Sequence, residues 1–259
     1  MRNTLFILII FLLVITSCST TSNFYQVYTT ENINGKATNE SVQFEDSNCV
    51  IQYNLWSNNG NVGFKIKNKT NNDLTIDISK TFFVINGISY SYFKNRSQTV
   101  TNNTGVNLDY MTPPNGNNLF LNYSQGIFNS NSKSTTYYDN KEITIPPLTA
   151  TIIEGYAISN SRYINCDLIK TPTSEKLKTV KFGESNSPFN FYNIITYSIN
   201  NTKHRIENKF YVSEITNYPE NMMFTKVYTS ICGRKLTKPE IYFKNPDAYK
   251  FYYFYRATR

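Results

Sequence analysis

The sequence is poor in histidine, tryptophan and glycine, and each shortage narrows the chemistry that the chain can perform. Its 259 residues include one His (His204), one Trp (Trp56) and ten Gly. Histidine-based metal and acid–base sites commonly draw on more than one such side chain, and loops that cradle phosphate need several closely spaced glycines. We therefore expect neither a histidine-based metal centre nor a phosphate-binding loop.

Aromatic side chains and positive charge are abundant instead. There are 21 Tyr and 18 Phe, and 26 Lys and Arg exceed 18 Asp and Glu, which gives a formal charge of +8. A hydrophobic content of 40% is too high for a disordered chain, and the length suits one large domain or two small ones. Residues 203–259 hold eleven basic residues against five acidic ones, so the positive charge is concentrated in the C-terminal quarter.

The N-terminus has the layout of an export signal. Arg2 is followed by an apolar run from Leu5 to Ile15, which is too short to cross a bilayer core of about 30 Å as a helix. Thr16, Ser17 and Cys18 follow Ile15, the last residue of the run. This order of apolar residue, two small residues and cysteine resembles the bacterial lipobox. The resemblance implies that residues 1–17 are a removed signal peptide and that the Cys18 thiol carries a lipid anchor.

The same resemblance implies a location. Residues 18–23 would form a short tether to the membrane. Ser19 is not the aspartate of an inner-membrane retention signal, and the tether lacks the acidic run of surface-exported lipoproteins. We therefore expect an outer-membrane protein that faces the periplasm, with the cell surface as the alternative. Export also means that nucleic acid is not an expected partner, despite the positive charge.

Alternating apolar and polar residues predict a series of short antiparallel strands. The alternation covers residues 51–55, 62–66, 74–78 and 88–92, and residues 82–85 are a continuous apolar run that is also predicted to be a strand. Asn59-Gly60 and Asn86-Gly87 provide the two positive-φ residues of a type I′ turn, so each predicts a tight hairpin between the strands that flank it.

The strand count predicts the fold class. Further strands at 143–145 and 149–158 bring the total to about seven, which favours an immunoglobulin-like antiparallel β-sandwich over residues 24–160. Residues 94–142 are dominated by Asn, Ser and Thr and are predicted to be a long insertion in that sandwich. The residue patterns at 64–70 and 143–148 resemble those of small immunoglobulin-like modules of secreted bacterial proteins. This is an analogy of fold alone.

Residues 161–259 are predicted to form a basic, aromatic, β-rich C-terminal region. Its strands are expected at 189–199, 208–215 and 249–255. Pro219-Glu220 would open one short helix that ends at Gly233. The apolar face of that helix would comprise Met223, Phe224, Val227, Tyr228 and Ile231.

Several blocks resemble lipoproteins of Bacteroidota to which no activity is assigned. The resemblance rests on Phe210–Glu220, Cys232-Gly-Arg-Lys235, Tyr53–Trp56, Asn61–Phe64 and Phe82-Phe83. It spans most of the chain and implies a β-sandwich lipoprotein, but it brings no substrate or catalytic residue with it.

The candidate catalytic groups are few and poorly arranged. Once Cys18 is set aside, Cys49, Cys166 and Cys232 remain, an odd number without the close spacing of a zinc site. His204 lies between two basic residues, and no Gly-x-Ser-x-Gly motif accompanies it. The carboxylate pairs Glu45/Asp46, Asp73/Asp77 and Asp139/Glu142 each lie in or beside a turn, where aspartate commonly binds its own backbone.

The sequence therefore predicts a non-enzymatic lipoprotein that binds or scaffolds at the cell envelope, with no catalytic, cofactor or metal site. Its partners would be the membrane, through Cys18, and an envelope protein, an anionic lipid or a glycan. A possible basic face for such a partner comprises Lys235, Lys238, Lys244, Lys250 and Arg256. The alternatives are an envelope hydrolase of glycans or peptidoglycan that uses loop carboxylates, and a surface glycan binder that stacks sugars on Tyr and Phe.

Overall fold

A computed structural model describes residues 21–94, 97–102, 133–138, 140–228, 230–232, 234–235 and 237–258. The predicted signal peptide, Cys18 and Asp139 lie outside the described residues. The described part is mainly β, and every strand pairing in it is antiparallel, which confirms the predicted fold class.

The described chain contains twenty strands and three short helical segments. The helical segments are Ile78–Lys80, Glu184–Asn186 and Glu220–Met223. The strands are β1 (Thr21–Ile33), β2 (Lys36–Ala37), β3 (Val42–Glu45), β4 (Cys49–Tyr53), β5 (Phe64–Asn68), β6 (Leu74–Asp77), β7 (Phe82–Ile85), β8 (Ile88–Ser91), β9 (Ser97–Asn102), β10 (Lys133–Tyr138), β11 (Glu142–Ile145), β12 (Ala150–Ile153), β13 (Thr179–Lys181), β14 (Asn190–Ile199), β15 (Thr202–Pro219), β16 (Phe224–Val227), β17 (Ser230–Ile231), β18 (Arg234–Lys235), β19 (Glu240–Phe243) and β20 (Lys250–Thr258).

Two sheets form the sandwich. The large, nine-stranded sheet follows the order β11-β6-β14-β15-β1-β20, with β13 beside β15 and β7-β8 beside β14. The five-stranded sheet follows the order β12-β5-β4-β3-β2. Phe210 of the large sheet contacts Tyr53 and Phe44 of the smaller sheet, with ring centroids 5.2 and 5.3 Å apart. These aromatic contacts place the core between the two sheets.

Side-chain alternation explains how the strands face the core. In β5 the side chains of Phe64, Ile66 and Asn68 are buried, whereas Lys65 and Lys67 are exposed. Successive residues of a strand point to opposite sides of the sheet, so Phe64, Ile66 and Asn68 face inward and the lysines reach water. The period that predicts the strand therefore also assigns its buried side.

The two Asn-Gly pairs behave differently. Asn86-Gly87 connects β7 to β8, where Ile85 pairs with Ile88, so this tight hairpin is confirmed. Asn59-Gly60 also has positive φ at both residues, but β4 and β5 pair from Tyr53 and Phe64 and leave a long loop between them. The tight hairpin predicted there is therefore wrong.

The loop that carries Asn59 protects a sheet edge instead. The Asn59 N–H donates to the Tyr252 carbonyl of β20 at 2.7 Å, and the Asn59 carbonyl accepts from the Ile158 N–H at 2.9 Å. The Tyr252 N–H donates to the Ser57 carbonyl at 3.2 Å. Because β20 is the last strand of the large sheet, these bonds occupy backbone groups that would otherwise be unpaired.

Strands from both sides of the predicted boundary at residue 160 share the large sheet. β14 pairs with β6 and β7, and β1 lies between β15 and β20. One compact unit accordingly combines the described parts of Met1–Tyr92 and Lys141–Arg259. The second unit, Phe93–Asn140, falls in the region of the predicted insertion and contains the β9-β10 hairpin.

The N-terminal strand begins inside the predicted tether. Thr21 pairs with Thr258 of β20, and Phe24 pairs with both Tyr255 and Pro219. Residues 21–23 are therefore part of the sheet. Only two residues separate Cys18 from Thr21, and a chain of that length spans at most about 10 Å.

The short helix predicted after Pro219 is a single turn, Glu220–Met223. Its predicted continuation to Ile231 is wrong, because Phe224–Val227 form β16 and pair with β19. β-Branched Thr225 and Val227 restrict χ1 and favour extended backbone over helix.

Candidate functional site

A cluster of aromatic rings covers one side of β1 and β20. Alternate residues Tyr25 and Val27 of β1 lie beside alternate residues Tyr252 and Phe254 of β20, so all four project from the same side of the sheet. This aromatic cluster comprises Tyr25, Trp56, Tyr218, Phe224, Phe243, Tyr252 and Phe254, packed with Val27 and Met223.

The aromatic cluster anchors a two-stranded hairpin. Phe224 of β16 and Phe243 of β19 are directly paired, and their ring centroids are 4.6 Å apart. Phe243 also contacts Trp56 at 5.1 Å, and Phe224 contacts Tyr25 at 5.3 Å. We call the described part of residues 224–243 the basic hairpin. Its first pair of residues is therefore fixed to the sheet by ring contacts.

Exposure rises along the basic hairpin beyond its first pair. Val227 is 41% exposed, Tyr228 65%, Ile241 63% and Tyr242 47%. The small strands β17 and β18 continue the hairpin toward its turn. Four large apolar side chains thus lie in solvent on one element of the described chain.

The basic hairpin also carries an excess of positive charge. Residues 224–244 contain five Lys and Arg and one Glu. Lys226, Arg234, Lys238 and Lys244 are exposed. Glu240, the one carboxylate in this stretch, accepts a hydrogen bond from the Tyr242 hydroxyl. The hairpin is therefore strongly cationic, with apolar groups among its charges.

The structure divides the predicted basic face into separate parts. Lys235, Lys238 and Lys244 belong to the basic hairpin or its end. Lys250 is half-buried, and its ammonium lies 2.6 Å from the Asp247 carboxylate. Arg256 is exposed and lies six residues farther along β20, about 20 Å away by strand rise, with its guanidinium 5.8 Å from the Phe254 ring.

Sequence reasoning missed the remaining members of the site. The helix prediction places Val227 and Tyr228 on a buried face, whereas the observed hairpin leaves them exposed. The predicted basic face also omits Lys226 and Arg234, which the hairpin exposes. The alternation in Glu240–Phe243 is the signal that could have indicated a second strand and, with it, the hairpin.

A separate open cavity of about 680 Å³ lies near the far end of the large sheet. Its lining includes Tyr192, Lys209 and Glu184, and the Lys209 ammonium lies 5.8 Å from the Tyr192 ring centroid. Among the described residues that line the cavity, Glu184 is the one carboxylate. The described lining therefore offers an aromatic and a cationic group, whereas glycoside hydrolysis uses two facing carboxylates.

The candidate nucleophiles and His204 lie in different surroundings. Burial, together with the nearby Asp46 carboxylate, raises the pKa of the Cys49 thiol, and an unionised buried thiol is unreactive. Cys166 and Cys232 are exposed free thiols. The His204 ring stacks on Tyr197 at 4.9 Å. In the described residues no three His, Cys, Asp or Glu side chains are grouped to hold a metal ion.

Asp46, one of the candidate carboxylates, has a structural environment. Its Oδ2 accepts from the Tyr197 hydroxyl at 2.6 Å, and its Oδ1 accepts from the backbone N–H groups of Cys49 and Asn48 at 2.7 and 2.8 Å. Burial opposes ionisation of Asp46, but these donors outweigh it and hold the pKa of the carboxyl below its usual 3.8. The carboxylate thus joins β14 to the β3–β4 turn.

We expect Asp46→Asn to lower the free energy of unfolding by about 1 kcal/mol at neutral pH, because a partly exposed set of charge-assisted hydrogen bonds is weakened. The folded-state pKa is depressed, so this contribution is present above the unfolded pKa and is lost as pH falls through the folded value. Urea denaturation at a series of pH values should show the difference from wild type shrinking below about pH 4. Exposed Asp73→Asn is the control, and an equal, pH-independent effect of both variants would contradict the assignment.

The remaining observations concern known proteins and membranes. The chain matches no family model, no curated protein and no solved structure. Within the described residues, none of the helical segments has the length and apolar character needed to span a membrane.

Proposed function

We propose that this protein is a lipid-anchored lipoprotein of the cell envelope that acts by binding rather than by catalysis. The observation that carries the proposal is the sequence Ile15-Thr16-Ser17-Cys18 directly after a short apolar run. The proposed anchor is acylation of the Cys18 thiol after removal of residues 1–17, and the proposed location is the outer membrane, on its periplasmic face. Several acyl chains would hold the protein firmly, since each buried CH₂ contributes about 0.8 kcal/mol.

The start of the fold supports this proposal. β1 begins at Thr21, and its first residues are paired with β20 rather than free. An acylated Cys18 would therefore hold the sandwich within about 10 Å of its lipid anchor. A binding surface near that end of the large sheet would face the membrane or a partner beside it.

The chemistry of the described residues favours binding over catalysis. The thiol of Cys49 is buried, Asp46 is held by structural hydrogen bonds, and the open cavity beside Tyr192 is lined by one carboxylate. By contrast, the basic hairpin presents charge and apolar surface together, which suits an adhesive role.

The test is the fate of the protein when Cys18 is replaced. We expect wild type to incorporate labelled fatty acid and to sediment with membranes, and Cys18→Ala to lose both properties. Globomycin should cause the precursor of wild type to accumulate. Cys166→Ala removes an exposed free thiol of the folded domain and is the matched control, which should remain acylated and membrane-bound.

The contrary result is equally clear. If Cys18→Ala is processed and distributed between fractions like wild type, the lipoprotein proposal fails. Protease treatment of intact cells with the wild-type protein distinguishes the periplasmic location from the cell surface, because a periplasmic protein is protected and a surface protein is digested.

A further inference from the structure

The basic hairpin exposes apolar side chains on both of its sides. In the β16–β19 pairing Lys226 lies opposite Ile241, and Thr225 lies opposite Tyr242. Neighbouring residues of a strand point to opposite sides, so Ile241 and Tyr242 project in opposite directions, yet they are 63% and 47% exposed. A large apolar group is therefore left in solvent on each side of the ribbon.

This two-sided exposure discriminates between kinds of partner. A folded protein or a glycan chain that docks on a two-stranded ribbon covers one side and leaves the apolar groups of the other side in water. A fluid layer of lipid headgroups surrounds an inserted ribbon and covers both sides. Tyrosine favours this interfacial zone, where its ring is buried and its hydroxyl remains hydrated.

We propose that the basic hairpin is a membrane-contact element that inserts into the headgroup region of an anionic lipid surface. The cations and the apolar groups would act together: Lys226, Arg234 and Lys238 pair with acidic headgroups, while Val227, Ile241 and Tyr242 enter the interface. The proposal deepens the proposed function and rests on it in one respect, because the anchor at Cys18 supplies the nearby membrane.

The position of the hairpin in the fold is consistent with such contact. The base of the hairpin packs on Tyr25, whose ring centroid lies 5.3 Å from that of Phe224. Asn23 donates a hydrogen bond at 3.1 Å to Glu220, the first residue of the helical turn that leads into the hairpin. Six residues separate Cys18 from Tyr25, a span of at most about 24 Å, so the hairpin begins at the end of β1 that would carry the anchor.

The aromatic cluster gives this contact a preferred orientation. The ring contacts of Phe224 and Phe243 hold the first residue pair of the hairpin against the sheet before any lipid is met. A ribbon held in this way loses less conformational freedom when it binds than a free loop would. Lipid binding through the hairpin and lipid attachment through Cys18 would then favour one orientation of the sandwich on the membrane.

The test uses the mature polypeptide from Ser19 to Arg259 without acyl groups, so that no anchor contributes. It is sedimented with vesicles of phosphatidylcholine alone and with vesicles of equal parts phosphatidylcholine and phosphatidylglycerol. We expect binding to the anionic vesicles, weak binding to the neutral ones, and a fall in binding as salt is raised. Each basic residue near an anionic surface strengthens partitioning by about fivefold.

Two variants of exposed residues test the two parts of the contact. Lys226→Glu/Arg234→Glu/Lys238→Glu should lower the partition coefficient on anionic vesicles by at least about 100-fold. Val227→Ser/Ile241→Ser/Tyr242→Ser should weaken binding while preserving its salt dependence. The far-ultraviolet circular dichroism of both variants should match wild type, because none of the six side chains is buried.

Matched controls lie on the five-stranded sheet and beside it. Lys65→Glu/Lys67→Glu reverses exposed charges of β5, and Leu148→Ser/Ile152→Ser removes apolar groups that are 61% and 75% exposed. Both controls should bind anionic vesicles within about twofold of wild type, apart from the weak long-range effect of net charge.

Three outcomes would overturn the proposal: no binding to anionic vesicles, equal binding to both kinds of vesicle, or equal losses in the hairpin and control variants. Failure of this kind with Cys18 acylated removes the hairpin proposal and leaves the proposed function standing. Hairpin-dependent binding with Cys18 not acylated supports the hairpin and removes the lipid anchor. The two proposals therefore fail separately.

Discussion

Gly155→Ala is expected to lower the free energy of unfolding by about 3 kcal/mol, because two backbone segments meet at this residue. A Cβ atom at Gly155 would lie 1.9 Å from the Gly63 nitrogen and 2.5 Å from the Gly63 Cα. Both are backbone atoms, so no flexible side chain can move aside. The contact is bordered by the hydrogen bond from the Val62 N–H to the Tyr156 carbonyl at 3.0 Å, which the added methyl group would strain.

Urea denaturation of the unacylated polypeptide measures this effect. The control is Gly183→Ala, where φ is −90° and the nearest atom to an added Cβ is a side-chain oxygen of Asn186 at 3.7 Å. That variant should change stability by no more than about 0.5 kcal/mol. Similar urea midpoints for the two variants would show that the backbones at Gly63 and Gly155 can move apart without loss of stability, which would contradict the prediction.

Asn193→Ala is expected to lower the free energy of unfolding by about 3 kcal/mol, because Asn193 joins the two sheets through buried hydrogen bonds. Asn193 is 2% exposed. Its Nδ2 donates to the Val62 carbonyl at 2.9 Å and to the Tyr53 hydroxyl at 3.2 Å, and its Oδ1 accepts from the Tyr92 hydroxyl at 3.0 Å. Alanine removes all three bonds and leaves space beside the remaining polar atoms.

The partners of Asn193 cannot compensate by ionising. Burial raises the pKa values of the Tyr53 and Tyr92 hydroxyls, so both stay neutral and continue to need hydrogen-bond partners. Chemical denaturation compared with Asn190→Ala, a half-buried residue of the same strand, checks the effect. Equal stability of the two variants would contradict a bridging role for Asn193.

Local patterns predict most strands, and their failures have identifiable causes. The patterns at residues 74–77, 82–85 and 88–91 mark real strands with different burial: β6 alternates buried and half-buried side chains, β7 buries its central pair, and β8 is largely exposed. Asn59-Gly60 adopts the expected positive φ, but tertiary bonds to β20 use the turn to cover an edge rather than to close a hairpin. The local conformation is thus predictable, whereas its tertiary use is not.

The buried polar groups could not be predicted from the pattern. Asn193 and Asn208 are buried polar residues, and both contact the hydroxyl of buried Tyr53. Gln26, also buried, donates to the Tyr163 carbonyl at 3.0 Å and accepts from the Tyr163 N–H at 2.7 Å. A polar residue in a strand ordinarily indicates the solvent side, and the partners that reverse this lie more than a hundred residues away.

For the candidate site, the sequence predicts the concentration of positive charge but not the hairpin that carries it. The concentration of Lys and Arg after residue 202 is visible in composition alone. The hairpin that gathers Lys226, Arg234 and Lys238 depends on pairing between residues 224–227 and 240–243, with an intervening segment that carries no strong turn signal. The exposure of Ile241 and Tyr242 follows from that pairing, so the sequence alone does not reveal this exposure.

The position of β1 between β15 and β20 has a consequence for the order in which the chain folds. Phe24 pairs with Pro219, and Thr21 pairs with Thr258, so β1 finds its neighbours about two hundred residues farther along the chain. Such contacts between distant parts of the chain form slowly. A chain that emerges N-terminus first therefore cannot complete the large sheet until residues 250–258 have arrived. Loss of β20 would leave one edge of β1 unpaired and open to pairing with another chain.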